Sequence, residues 1–360
     1  MRCKHKILFC FVAVIIAFTN AFAFDTTNVV SRKSLFVIPH FAFQQETSFA
    51  GGVAVGYYFK SNDISKISSV SGSAYYTALH QFIFNVTPKL FWGENKQWYL
   101  YSNLNLRKYP DYFYGVGNVP TNIKQAFTSK NYGLLLQPQY AISKNLLLGI
   151  SASVKNENTL VSDMPENGYN ALGWEPFTQV NLGVLATYDS RNNQFYAENG
   201  LFAKLQLSSS KLLGLSTFNS TDLSLDFRHY VPLFEGHVFA YQAMVQGVFS
   251  NSQLPFQLLP TLGGRDLMRG YRQGMYRDNL LFVGQAEYRL PIYKRLKMAA
   301  FCSAGDVVDT QYAHIDKLKV AYGIGLRYRL NDARVHLRVD FAKNNYGEKM
   351  QFYITATEAF

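Results

Sequence analysis

From residue 33 to the end, the chain alternates apolar with polar or small residues, a period of two that marks strands with chemically different faces. At 145–154, Leu146, Leu148, Ile150, Ala152 and Val154 share one face, opposed by Leu147, Gly149, Ser151 and Ser153. At 320–330, Val320, Tyr322, Ile324, Leu326, Tyr328 and Leu330 oppose Ala321, Gly323, Gly325, Arg327 and Arg329. Similar runs occur at 98–107 and 335–341. The pattern predicts sixteen strands, near 33–43, 49–59, 67–77, 80–91, 96–107, 126–140, 144–156, 176–189, 199–208, 217–231, 236–249, 279–291, 294–305, 318–330, 334–343 and 348–358. Most reach about ten residues, enough to cross a bilayer at a tilt of about 45°. Alternation alone also fits a soluble sandwich, whose polar face looks out to water. Other features decide between the two.

The N-terminus reads as a secretory signal. Arg2, Lys4 and Lys6 precede an unbroken apolar run, Ile7 to Phe18, and Ala21-Phe22-Ala23 offers small residues for cleavage. The run falls short of the about 20 residues of a membrane-spanning helix. Domain organisation is therefore expected as a signal peptide over 1–23, a short periplasmic segment over 24–32 and a barrel over 33–360. No apolar stretch after residue 23 could cross as a helix. Aromatic and charged residues each make up 16% of the chain, the latter below the about 25% of ordinary soluble domains. A transmembrane antiparallel β-barrel, all-β, satisfies these facts together, because its backbone bonds close between strands. The expected location is the bacterial outer membrane.

The formal net charge of +11 loses three with the signal. A basic exported protein of this kind suits anionic lipid or a counter-charged lumen better than nucleic acid. Cys3 and Cys10 would leave with the signal, and Cys302 would remain alone, so no internal disulfide is expected. His229, His237, His314 and His336 show no metal-ligand spacing, and no Gly-x-Ser-x-Gly elbow is present. No catalytic residue, metal or cofactor is expected, and the chain reads as a non-enzyme. Asp226, Arg228, Glu287, Arg289, Arg327, Arg329, Arg338 and Asp340 fall on polar faces, where they would neutralise one another inside the barrel. Asp111-Tyr112-Phe113-Tyr114 is placed at the outer membrane interface.

Loop lengths support the count. The long gaps 108–125, 157–175 and 250–278 all follow odd-numbered strands, whereas tight turns such as Gly93-Glu94-Asn95 follow even ones. Long loops outside and short turns inside is the asymmetry of outer-membrane barrels, with both termini periplasmic. The gap at 190–198 is longer than this rule prefers.

The longest loop carries Gly263-Gly264-Arg265-Asp266-Leu267-Met268-Arg269-Gly270-Tyr271-Arg272, followed by Gln285-Ala286-Glu287-Tyr288. Here the chain resembles the outer-membrane surface-antigen family of the BamA/TamA type. Asp189-Ser190-Arg191-Asn192 with Asn199-Gly200 resembles that family's Asp-x-Arg-Asp…Gly turn, and the ending Glu358-Ala359-Phe360 resembles single-barrel members. The resemblance implies that the loop after the eleventh strand folds into the lumen. Its tip, Arg269-Gly270-Tyr271, would then pair with Glu287 on the twelfth strand. Taken alone, Arg269 could equally be a solvated loop arginine. The family's Phe-x-Asp-x-Gly pattern on strand thirteen is here Phe301-Cys302-Ser303-Ala304-Gly305, with Ser303 in place of the aspartate. Arg269 would keep one acidic partner or borrow Asp340 or Asp226. Phe352, Ile354, Ala356 and Phe360 share one face of the last strand and resemble a C-terminal barrel-recognition signal.

The resemblance implies insertion or translocation of proteins at the seam between first and last strands. The implied partners are outer-membrane lipids, client outer-membrane proteins and a separate periplasmic factor, since the expected organisation leaves no room for POTRA domains. The alternative is a passive pore or surface-exposed structural barrel.

Overall fold

The computed structural model describes residues 34–44, 48–59, 67–119, 123–161, 172–214, 219–310, 315, 318–330, 334–347, 349–355 and 358–360. The expected leader and the segment 24–32 lie outside them, as do His314 and Ala356.

Sixteen antiparallel strands close into one barrel. The first half comprises β1 (Ser34–Gln44), β2 (Ser48–Tyr58), β3 (Ser69–Thr77), β4 (Phe82–Trp92), β5 (Trp98–Phe113), β6 (Gln125–Ala141), β7 (Leu146–Leu160) and β8 (Phe177–Asp189). The second comprises β9 (Gly200–Leu213), β10 (Asn219–Phe234), β11 (His237–Phe249), β12 (Leu280–Tyr293), β13 (Leu296–Val308), β14 (Lys319–Arg329), β15 (His336–Asn344) and β16 (Gln351–Thr355). A two-stranded hairpin, Thr261–Leu262 with Tyr276–Arg277, lies within the long loop between β11 and β12.

The boundaries follow the alternation closely, with two departures. β5, β7 and β9 run further toward the long-loop side than expected, to Phe113, Leu160 and Leu213. Asp111 and Phe113 therefore belong to a strand, with Phe113 buried and Tyr112 facing out. β16 begins at Gln351, later than the expected residue 348.

The wall shows why this sequence needs lipid. Leu182, Val184, Ile324 and Ile150 are each more than half exposed on its outer face. Exposed rows of this size would be an aggregation hazard in water. Trp92 stacks on Trp98 (6.2 Å between centroids), which meets Tyr140 edge-on at 4.8 Å. These rings form an aromatic belt on the short-turn side. The inner face is polar: Asn103 bonds Asn85 and Thr87, and Gln137 bonds Ser151 and Gln206.

Neighbouring strands pair over long registers, eleven rungs for β1–β2 and ten for β11–β12. The seam is the exception. Among the described residues, β1 and β16 meet at one rung, Phe43 opposite Ile354. β16 itself joins β15 through five rungs.

Candidate functional site: the lumen plug and the closing strand

The loop after β11 turns back into the barrel. Its tip is a tight turn, closed by the Tyr271 N–H donating to the Met268 carbonyl at 3.1 Å. Gly270 occupies the third position with φ +112°, the sign that a type II turn reserves for glycine. It also lies against the wall: a Cβ there would come within 3.1 Å of the Lys343 backbone and 3.3 Å of the Ala321 Cβ. The Gly270 N–H donates to the Tyr353 hydroxyl (3.2 Å), and Asn344 Nδ2 donates to the Gly270 carbonyl (2.8 Å). The tip is thus stitched to β15 and β16. Gly263 and Gly264 form the neck of the loop, where the Gly264 N–H donates to the Tyr271 carbonyl at 3.0 Å. Tyr271 is fully buried and donates to Asn345 Oδ1 at 2.5 Å.

Arg269 is 1% exposed. Its Nη2 donates to Glu287 on β12 at 2.8 Å and its Nη1 to Asp340 on β15 at 2.7 Å. Its guanidinium carbon stands 3.5 Å from the centroid of the Phe301 ring. A buried guanidinium needs both charge balance and filled donors, and two carboxylates supply most of each. Glu287 also binds Arg289 (2.8 Å) and Arg327 (3.0 Å). Asp340 also binds Arg327 (2.5 Å) and Arg338 (3.3 Å). Arg338 reaches back to Asp266 in the loop at 3.0 Å. The plug is therefore held by one charge network that joins the loop to β12, β14 and β15.

The expected partners divide. Glu287 and Asp340 meet Arg269. Ser303 does not: its hydroxyl faces the Ala321 carbonyl at 3.5 Å. Asp226 does not either. It accepts from Arg228 at 2.6 Å and from Gln242 at 2.7 Å. The expectation that Asp226 might serve Arg269 is corrected on those contacts.

The C-terminal residues require a second correction. Phe352 and Ile354 face outward, Phe352 lying 5.0 Å from the Phe341 ring. Phe360 leaves that face. It is 5% exposed and packs with Ala197, Tyr230, Val238 and Ala240. Arg289 Nη2 donates to its main-chain oxygen at 3.0 Å, and Arg327 Nε donates to Glu358 at 3.3 Å. The lumen arginines and an apolar nest hold residues 358–360 inward.

That nest explains the long turn at 190–199. Asp189 accepts Arg191 bidentately, at 2.9 and 2.8 Å. Gly200 has φ +105°, and a Cβ there would lie 2.3 Å from the Ser190 carbonyl oxygen. The turn folds into the barrel end: Tyr196 is 1% exposed, with its ring 4.2 Å from that of His336. Glu198 bonds Lys297 at 3.0 Å and Arg334 at 2.5 Å. Burial works against ionisation of Glu198, but those two cations outweigh it and hold the carboxyl below the ordinary carboxylate range.

At the long-loop end, Phe113, Phe127, Trp174 and Phe256 pack together, and Arg277 lies 5.1 Å over the Phe256 ring. A polar hollow of about 390 Å³ remains between β7–β11 and the stretch from Gln257 to Thr261.

The sequence matches the Omp85 superfamily domain over residues 49–360. The chain belongs to the Omp85 superfamily. Among solved structures, this Omp85 barrel is similar to BamA from Haemophilus ducreyi lacking POTRA domains 1–3. The TM-score is 0.63 at 15% identity, covering 91% of this chain and 70% of that one. It is also similar to CdiB from Acinetobacter baumannii, with TM-score 0.57 and 14% identity over 90% of this chain and 59% of that one. For CdiB from Escherichia coli the values are 0.55 and 11%, over 89% and 62%. The chain thus spans under two thirds of either CdiB. No curated protein matches it. Family and fold together place this Omp85 barrel in the bacterial outer membrane.

Sequence reasoning put Arg289, Arg327 and Arg338 in the lumen without assigning partners. It missed Phe301, Tyr353, Asn344, Glu358 and Tyr196. The polar-face alternation marks Tyr353 and Asn344 as lumenal, but only the folded loop shows what they hold.

Proposed function

We propose that this Omp85 barrel passes protein chains into or across the outer membrane at the β1–β16 seam, with the lumen plug anchoring one side of that seam. The observation that carries the reading is that, among the described residues, the seam has one rung, Phe43–Ile354, beside registers of five to sixteen rungs elsewhere in the barrel. In lipid, unpaired backbone groups are costly, so a strand edge with few partners favours a client strand that adds to it. The contacts also support a reading of which strand moves. Tyr353 of β16 holds the plug tip, and Glu358 and Phe360 are tied to Arg327 and Arg289. Among the described residues, β1 is tied to β2 over eleven rungs but has one to β16. The β1–β2 hairpin would swing while β16 stays. The partners proposed are client outer-membrane proteins and a periplasmic delivery factor. Residues 1–23 are proposed as a cleaved leader, 24–32 as periplasmic and 33–360 as the barrel. Phe352 and Ile354 are proposed to be read as a recognition signal during the barrel's own insertion.

The test is insertion of an unfolded client barrel into liposomes holding the full protein, with and without a disulfide joining Phe43→Cys to Ile354→Cys. Acceleration that the oxidised variant loses and regains on reduction supports the reading. No acceleration by protein shown folded by heat-modifiable gel mobility sinks it.

The polar hollow near Gln257 favours a second reading, a plugged pore. It requires conductance to rise in planar bilayers when Arg269→Ala loosens the plug.

A further inference from the structure

Lys108 of β5 and Lys130 of β6 stand directly opposite each other on the outer face of the barrel, both exposed. Like charges across a rung repel and weaken the sheet. Neither ammonium has an ion-pair partner among the described residues. The next outward rungs toward the short-turn side are Leu106–Tyr132 and Leu104–Leu134, all exposed and, apart from the Tyr132 hydroxyl, apolar. Toward the long-loop side the same face carries Tyr112, with Lys124 Nζ 4.6 Å from the centre of its ring. Asn158 of β7 is the neighbour of Lys130 across the following rung.

Depth fixes what this cluster meets. The outward ladder on β5 begins at Trp98 in the aromatic belt and reaches Lys108 about ten residues later, about 33 Å of strand. At a tilt of about 45° this spans about 23 Å of membrane, close to the about 25 Å height of the apolar band of an outer-membrane barrel. The lysines therefore stand where acyl chains give way to headgroups, on the side of the long loops. Cations there face the phosphates of the outer leaflet, and the exposed Leu and Tyr rungs below fit the acyl chains of the same molecule.

We propose that Lys108, Lys130 and Lys124 form a binding site for an outer-leaflet lipid whose headgroup carries more than one phosphate. One phosphate bridges Lys108 and Lys130, cancelling their repulsion. Lys124, held over Tyr112, takes a second phosphate further out. This site rests on the membrane placement of the barrel and is independent of any insertion activity.

Native mass spectrometry of the full detergent-solubilised protein tests it, with diphosphoryl lipid A, phosphatidylcholine and free inorganic pyrophosphate as probes. The expected result is retention of diphosphoryl lipid A but not of phosphatidylcholine or pyrophosphate. Lys108→Gln with Lys130→Gln should lower that affinity by about tenfold or more. Lys108→Arg with Lys130→Arg, and Lys343→Gln on β15, should retain it. Heat-modifiable mobility confirms that each variant is folded. Equal retention by the double Gln variant and the parent overturns the site, as does equal retention of phosphatidylcholine. Pyrophosphate bound as well as the lipid overturns the assignment to a lipid.

Discussion

The guanidinium carbon of Arg269 lies over the ring of Phe301, 3.5 Å from its centroid. The ring stands two residues before Ser303, where the surface-antigen pattern has an aspartate. The plug arginine thus finds an aromatic face on β13 and takes its second carboxylate from Asp340 on β15. Removing Arg269 leaves Glu287 and Asp340 buried with fewer cations. Breaking one side of a buried pair costs about 3–5 kcal/mol. Arg269→Ala is expected to lower the unfolding midpoint in urea and expose the loop to trypsin. Arg269→Lys should recover only part of the loss, because an ammonium lacks the planar fork.

Asp340 and Ser303 make a contrasting pair. Asp340→Asn removes a carboxylate shared by Arg269, Arg327 and Arg338. It should destabilise the fold by several kcal/mol, on the order of the buried-pair figure. Ser303→Ala removes one long hydrogen bond and should cost about 1 kcal/mol or less. Parallel urea titrations of the two variants check the order, and equal losses would contradict this network.

Gly270→Ala tests how the tip meets the wall. The added methyl would need a left-handed backbone and a yielding Lys343 main chain. A cost of about 1–3 kcal/mol is expected, together with faster proteolysis within 263–272. Unchanged protease resistance would show that the tip does not bear on the wall.

The legible part of the fold was the wall, because lipid outside and water inside impose a period of two on every strand. The lumenal placement of Glu287 and Asp340 was legible for the same reason. Their meeting at Arg269 was not readable from spacing, since Asp340 is far along the chain and only barrel closure brings β15 to β12. Phe360 was misplaced because alternation was extended to the last residue. The hydrogen bond from Arg289 and the nest around Tyr230 hold it inward instead.

That hold is itself testable. Arg289→Ala removes the bond to the Phe360 main chain and the contact with Glu287. Carboxypeptidase should then trim the end of the folded barrel faster than in the parent, by about tenfold if about 1.4 kcal/mol of local protection is lost.

Glu198 gives the barrel end a pH dependence. Its folded carboxyl titrates below the ordinary range, held by Lys297 and Arg334. A depressed carboxylate contributes stability above its unfolded pKa of about 4.3, and that stability is lost as pH falls through the folded value. The protection of amides in 190–199, measured as intrinsic over observed exchange rate, should therefore be nearly constant from neutral pH to about 5 and fall in stronger acid. Glu198→Gln should show the lower protection at neutral pH and no such transition.

The rung between Phe43 and Ile354 also bears on how the barrel is made. Those residues come from opposite ends of the chain, so their contact has the largest loop to close and forms last. The one rung among the described residues returns little free energy for that step. The final act of folding should therefore be the easiest to reverse. The barrel can complete its core, plug and charge network while its closure remains a reversible event.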